Sequence, residues 1–275
     1  MENDLRGQVK TVLTIAGSDC SGGAGIQADL KTIFAHGLYG MSVITALTAQ
    51  NTCGVYAIQN ALPGMIGAQL HAVLEDIPPD AIKIGMLAGK QEIFAVSENL
   101  HKLKNKVPMV IDPVMAATSG GRLLQEDAIS VLEKELFPLA SLLTPNLPEA
   151  EALCGFSIKR KEEMEKAASV LYERTGSAVL VKGGHLQECA DDLLLTDDGQ
   201  FWFPGRKILT FNTHGTGCTL SSAIACNLAL KKSLPEAVQA AKIYVENALH
   251  AGLDLGSGSG PLWHAVSVNR GGEWS

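Results

Sequence analysis

The segment His214-Gly215-Thr216-Gly217-Cys218-Thr219 leads into a run of apolar and small residues from Leu220 to Leu230. Two glycines at the mouth of a helix let backbone N–H groups converge on one point. The aligned peptide dipoles add about half a positive charge there, which suits the turn to holding an anion. A cysteine in the first turn feels the same field, which predicts a lowered thiol pKa and a share of thiolate. Donors for a transferring phosphate beside a base for an attacking hydroxyl are the two requirements of phosphoryl transfer. The same residues also fit a plainer role, in which the glycines only shape a turn and Cys218 is a small buried hydrophobe.

A second glycine-rich stretch, Ala16-Gly17-Ser18-Asp19-Cys20-Ser21-Gly22-Gly23-Ala24-Gly25-Ile26-Gln27-Ala28-Asp29, follows the first apolar run. Gly23-Ala24-Gly25 supplies GxG, but Ala28 stands where a dinucleotide-binding loop has its third glycine, and no GxxxxGK[ST] loop occurs anywhere. The stretch suits close approach of backbone to a flat ligand. Asp29 is placed either to accept from an amino group or to sit as a solvated acid near a helix N-terminus. Asp112-Pro113 and Thr144-Pro145-Asn146-Leu147-Pro148-Glu149 each follow an apolar run. Two acids at the carboxyl ends of parallel strands are enough for Mg²⁺, held directly or through water, although Glu149 equally suits the first turn of a helix. Lys182, before Gly183-Gly184-His185, reads either as a phosphate ligand or as a surface lysine. The histidines at 36, 71, 101, 250 and 264 have no metal-site spacing.

Positioning such groups needs a scaffold, and the pattern supplies one. Short runs rich in Val, Ile and Leu predict strands over 12–16, 42–47, 81–84, 107–111, 141–143 and 178–181, buried on both faces. Helical patterns lie between them near 24–36, 63–76, 90–104, 125–135, 148–154 and 161–174. This alternation predicts an α/β fold with a mostly parallel sheet covered on both sides. Residues 192–196 and 201–203 flank Asp197-Asp198-Gly199-Gln200, a hairpin signal. Two helices follow near 215–230 and 235–252, the second with Pro235 in its first turn. Gly/Ser residues at 256–260 and the Gly271-Gly272 tail read as flexible connections. The whole chain is expected to be one domain, 1–275, with its core over about 10–265. In such sheets ligands bind beyond the carboxyl ends of the strands.

Composition narrows the partners. A net charge of −7 gives no basic footprint for nucleic acid. No apolar run reaches the roughly 18 residues of a membrane span. The polar start MENDLRGQVK lacks a signal-peptide stretch. The six cysteines show neither CxxC nor zinc-finger spacing, so the expectation is a cytoplasmic protein with reduced thiols.

Taken in order, Leu13 to Asp19, Ser21 to Thr32, Thr45 to Thr52, Lys83 to Leu87, Asp112 to Met115, Thr144 to Ala150, Lys182 to His185 and Asn212 to Thr219 closely resemble the hydroxymethylpyrimidine/phosphomethylpyrimidine kinases of thiamine biosynthesis, in the ribokinase-like superfamily. The resemblance covers about residues 10–265. It implies a three-layer α/β/α sandwich and ATP with Mg²⁺ as phosphoryl donor. Gly215, Thr216, Gly217 and Cys218 would form the anion hole, with Cys218 as base for the hydroxymethyl group. It also implies that Gln50 and Asp29 recognise the pyrimidine and that Gly17, Ala24 and Met86 line its pocket. Asp112, Lys182, Asn146 and Thr213 would hold the nucleotide, and Asp112 and Glu149 the metal. Gln50 offers a donor and an acceptor side by side, matching an aminopyrimidine edge. Gln50-Asn51 argues against a pyridoxine or pyridoxal kinase, the first alternative; a catalytically silent ligand-binding homologue is the second. Cys20 and Gly121 depart from the family pattern without touching the chemistry. A homodimer is implied, a lid near Ala116 to Leu123 is conceivable, and the chain leaves no room for a fused thiamine-phosphate synthase.

Overall fold

Successive side chains of the central strands enter two different cores, which is why these strands carry no polar alternation. In β1 (Thr11–Asp19), Leu13 and Ile15 pack into one core and Val12 into the other. The same alternation divides Ile111 from Val110 in β5 (Met109–Ile111), and Val179 and Val181 from Leu180 in β7 (Ala178–Val181). The computed structural model describes residues 9–103, 105–116, 121, 123–184, 186 and 190–266.

The remaining strands are β2 (Tyr39–Asn51), β3 (Gly54–Asn60), β4 (Ala81–Ile84), β6 (Leu142–Leu143), β8 (Asp192–Thr196) and β9 (Gly199–Phe203). Together they form a nine-stranded sheet in the order β3-β2-β1-β4-β5-β6-β7-β8-β9. Pairing is parallel from β2 to β7 and antiparallel for β3, β8 and β9. Helices α2 (Pro63–Asp76), α3 (Lys90–Leu100), α4 (Ile129–Glu135), α5 (Leu147–Cys154) and α6 (Lys161–Thr175) cover one face. The other face carries α1 (Gly25–Ala35), α7 (Thr216–Ala229) and α8 (Leu234–His250). The expected three-layer α/β/α sandwich is the observed one.

Helix starts follow the sequence signals. Asn146 and Glu149 close a capping box on α5, and Ser233 and Glu236 do the same on α8. By contrast α1 and α7 begin without a side-chain cap. Their first-turn amides are left for something else to satisfy.

Two differences from expectation matter for the site. The edge strand β3 is absent from the sequence reading because its residues are half-buried or exposed and give no core signal. It pairs with β2 to form an arm that carries Gln50 near its end. The Gly256 to Gly260 stretch, expected to be flexible, is instead tied down. Thr52 O accepts from Ser259 N at 2.9 Å, Thr52 Oγ1 accepts from Gly258 N at 3.2 Å, and Phe211 O accepts from Gly260 N at 3.0 Å. The segment therefore straps the β2–β3 arm to the chain just before His214. Gly271 and Gly272 lie outside the described residues. Among the described residues, Cys20, Cys53, Cys154, Cys218 and Cys226 are free thiols, and no helix is long and apolar enough to cross a membrane.

Candidate active site

The carboxyl ends of β1, β4, β5, β6 and β7 open onto one cleft of about 980 Å³. Gly17, Ala24, Gln50 and Met86 line it, together with Asp112, Asn146, Glu149, Lys182, Thr213 and all of Gly215 to Cys218. Of the residues singled out in the sequence, only Asp29 is missing from its walls.

The anion turn sits where its helix is most constrained. Every residue of α7 from Thr219 to Ala229 is buried, so the helix start cannot shift freely. Gly215 has φ +82°, and a Cβ there would stand 1.9 Å from Gly23 O, so only glycine lets this turn meet the first glycine loop. A Cβ on Gly217 would lie 3.3 Å from Asp112 Oδ2 and 3.4 Å from Lys182 Nζ. The amide turn and the charged groups of β5 and β7 thus face each other across one small space.

The expectation of a lowered thiol pKa at Cys218 is corrected. Burial pushes the thiol up to about 11; Lys83 and the Gly25 amide lower it, but Asp29 and Asp112 raise it further. A helix dipole of about half a charge does not outweigh loss of hydration plus two carboxylates. Cys218 is a neutral thiol near pH 7.

Asp112 follows β5 and is buried, with Oδ1 accepting from Lys182 Nζ at 2.7 Å and Thr144 Oγ1 at 3.1 Å. Burial would lower the Lys182 pKa, but Asp112, Glu149 and Cys218 raise it overall, so the lysine stays cationic. Glu149 takes the helix-start role and also borders the cleft. Its Oε2 accepts from Asn146 N at 2.8 Å and Asn146 Oδ1 accepts from Glu149 N at 2.9 Å, yet the carboxyl also lines the cleft. Burial pushes its pKa up to about 7, with Lys182 opposing and Asp112 adding to the rise. Two acids therefore act on one lysine, which pairs directly with Asp112, and Asp112 faces the glycine turn at the uncapped start of α7. That donor set fits a divalent cation, which would neutralise the acids and hold phosphate oxygens near them. Thr213 is fixed by its Oγ1 contact with Ser259 Oγ at 2.9 Å.

Also in the cleft, Gly17 lies against Met86, whose Sδ would be 2.9 Å from a Cβ at that position. Gln50 reaches Asp19 by a side-chain hydrogen bond. Asp19 was not singled out in the sequence as a site residue, nor was His214. Its carboxylate accepts from Ser21 N, Ser21 Oγ, Gly23 N, Ala24 N and His214 Nε2, the last at 2.8 Å. Burial alone would raise its pKa, but the hydrogen bonds from His214, Ser21 and Gln50 hold it well below the usual carboxylate range. The only sequence signal for this pair was its position, one residue at a strand's end and the other beside the anion turn. Apolar Ile208, Leu220, Val245 and Leu249 also line the cleft. In sequence they are indistinguishable from core positions.

Asp29 is corrected as a pyrimidine ligand. It is fully buried, and its oxygens are taken by Thr14 Oγ1, Lys83 Nζ and Ser222 Oγ. His185 and most of the proposed lid, residues 117–120 and 122, lie outside the described residues. Among the described residues, no group of three or more His, Cys, Asp or Glu side chains is placed to hold a metal. A cation here would therefore rest on two carboxylates and water.

The family model for phosphomethylpyrimidine kinase matches residues 19–263. A hydroxymethylpyrimidine/phosphomethylpyrimidine kinase of Rhizobium meliloti is 48% identical over 256 residues, covering 92% of this chain and 96% of that protein. A thiamine biosynthesis bifunctional protein of Geobacter sulfurreducens is 48% identical over 259 residues, and this chain spans about half of its length, 53%. Among solved structures, a phosphomethylpyrimidine kinase from Clostridium difficile is 46% identical with TM-score 0.78, covering 87% of this chain and 99% of that one. A pyridoxal kinase from Staphylococcus aureus in complex with ADP is 34% identical with TM-score 0.86, covering 95% of each chain.

Proposed function

The chain belongs to the phosphomethylpyrimidine kinase family and is a phosphotransferase, and from that premise we propose that it moves the γ-phosphoryl group of ATP first onto 4-amino-5-hydroxymethyl-2-methylpyrimidine and then onto the resulting monophosphate, for thiamine pyrophosphate biosynthesis. The observation that carries this reading is the shared cleft, lined at once by the Gly215 to Cys218 turn, by the Asp112–Lys182 pair and by Gly17, Gln50 and Met86.

In this reading the pyrimidine lies flat against Gly17 and Met86, and Gln50 pairs with its amino edge. The adenine takes the apolar slot of Ile208, Leu220, Val245 and Leu249, with Asn146 and Thr213 beside the nucleotide. Asp112 and Glu149 hold Mg²⁺, which supplies charge neutralisation at the phosphates when bound. Lys182 and the amides of Gly217 and Cys218 receive the charge that gathers on the migrating phosphoryl group. The thiolate form of Cys218, a small fraction near pH 7, takes the proton of the hydroxymethyl group and becomes the thiol, whereas the monophosphate acceptor is already ionised. The protein works as a single ribokinase-like domain in the cytoplasm. It pairs as a homodimer, a state supported by exposed Leu47, Tyr56, Leu62 and Met65 around the β2–β3 edge.

A second reading, pyridoxal phosphorylation, is favoured by the TM-score of 0.86 with the pyridoxal kinase. An ADP-release assay with hydroxymethylpyrimidine, its monophosphate and pyridoxal in parallel separates them. Turnover of both pyrimidines with a higher kcat/KM than pyridoxal is expected; a preference for pyridoxal reverses the assignment. Pyrimidine binding without ADP release would leave a silent homologue.

A further inference from the structure

Behind the reaction turn lies a cluster of buried polar side chains that the chemistry above leaves idle. Asp29 on α1 and Lys83 on β4 are both fully buried, and Lys83 Nζ donates to Oδ1 at 2.9 Å and Oδ2 at 2.8 Å. Thr14 of β1 donates to Oδ2 at 2.5 Å, and Ser222 of α7 donates to Oδ1 at 2.7 Å. The backbone makes room for the ammonium, since a Cβ on Gly85 would stand 2.8 Å from Lys83 Nζ. A buried ion pair is a poor source of stability, because desolvation offsets its attraction and apolar replacements serve as well or better. Its value must lie elsewhere.

Ser222 is four residues beyond Cys218, so one helical turn brings the two onto the same face of α7. Neighbouring positions of that helix are small, with Ala223, Ala225 and Cys226 offering apolar contacts that set no direction and Ser221 bonded only within the helix, to Gly217 O and Cys218 O. A hydrogen bond to a fixed carboxylate does set one. Asp29 in turn is held from the sheet by Thr14 and Lys83. The charged groups facing Cys218 are Lys83, Asp29, Asp112 and Lys182, from β4, α1 and the ends of β5 and β7.

We propose that Lys83, Asp29 and Ser222 are positioning residues for the phosphoryl transfer: the sheet-anchored carboxylate grips Ser222 and so fixes where the Cys218 thiol and the neighbouring amides point. This deepens the kinase reading and rests on it. The pyrimidine wall shares β1, the start of α1 and the end of β4 with Thr14, Asp29 and Lys83, but Ser222 lies on α7, so loss of the Ser222 bond acts on the turn and on turnover rather than on substrate capture.

The test is Ser222→Ala, assayed for ADP release with both pyrimidine acceptors, for thermal stability, and for alkylation of Cys218 by iodoacetamide followed on its own peptide by mass spectrometry. A displaced turn should lower kcat by about 10- to 100-fold with KM for the pyrimidine within about twofold. The alkylation rate at Cys218 should change by about threefold or more. A lowered Tm with kcat and alkylation as in wild type would overturn the proposal. Should Ser222→Ala not fold, Asp29→Asn combined with Lys83→Met keeps an acceptor for Ser222 and removes both charges. Its kcat should be reduced by a smaller factor than the range given above, and wild-type kcat in that variant would also overturn the proposal. A wild-type protein inactive on both pyrimidines sinks the kinase reading instead, and the alkylation rates still decide the positioning role.

Discussion

Replacing Cys218 should separate the two transfers by their pH dependence. With its thiol at about 11, Cys218 carries thiolate in roughly one molecule in a thousand at pH 8, gaining about tenfold for each unit of pH. If the thiolate takes the hydroxymethyl proton, log kcat/KM for the alcohol climbs with a slope near one from pH 7 to 10. A phosphate monoester has its second pKa near ~6, so the monophosphate acceptor arrives already ionised and its profile stays level over that range. Cys218→Ala should remove the slope and, at pH 9, cost the alcohol reaction about 10²- to 10⁴-fold, the usual worth of a positioned base. The monophosphate reaction should stay within about threefold, because the amides and Lys182 that receive its charge remain. The assay is ADP release at fixed, saturating ATP across the pH series with each acceptor. An undiminished slope in Cys218→Ala, or the same slope with the monophosphate, would refute the assignment of this thiol as the base.

Other outcomes follow from the same geometry. Glu149 is raised from 4.5 to about 7, so the fold favours its neutral form. The stability it contributes is whole below pH 4.5 and is lost as pH rises through 7. Glu149→Gln should therefore exceed wild type at pH 8 by up to about 3 kcal/mol in denaturant melts, with added Mg²⁺ narrowing the gap; no crossover between pH 4.5 and 7 would contradict this. Lys83→Met alone should cost about 3–5 kcal/mol by stranding the Asp29 charge, and urea midpoints should show most of that recovered when Asp29→Asn is added. Gly217→Ala keeps helical backbone but sets a methyl against Asp112 and Lys182. It should fold with near-normal Tm and lose about 10²-fold in kcat. Gly215→Ala should instead be destabilised by more than the ~1–2 kcal/mol of a left-handed alanine, since its Cβ also meets Gly23 O.

Periodicity located the scaffold because buried parallel strands leave a strong apolar signature. The ranges expected at 81–84, 178–181 and 192–196 are those of β4, β7 and β8. Strand β3 escaped because an edge strand need not be apolar. The site was legible where chemistry is local: Asp112, Lys182 and the Gly215 to Cys218 turn each lie at a strand or helix end. Misplaced function came from groups whose surroundings are distant in sequence. Nothing near Asp29 reveals that Lys83 and Ser222 consume its oxygens, and nothing near Cys218 reveals the burial, aided by two carboxylates, that raises its thiol. The Asp19–His214 contact has the same origin, since a hydrogen bond between remote segments leaves no spacing to read.

Those remote contacts also fix when in the life of the molecule a working centre first exists. Asp19 and His214 stand 195 positions apart, and Asp29 and Ser222 stand 193 apart. Closing such a span costs about 2 kcal/mol more chain entropy than closing one of about 20 residues. During synthesis the early strands and α1 emerge with Asp29 and Lys83 in hand but with nothing yet to lay over them. Only when Ser222 has left the ribosome can α7 settle over them, and with it the Gly215 to Cys218 turn. A prematurely ended chain is thus not a feeble enzyme but an unfinished one, lacking the piece that joins its beginning to its end.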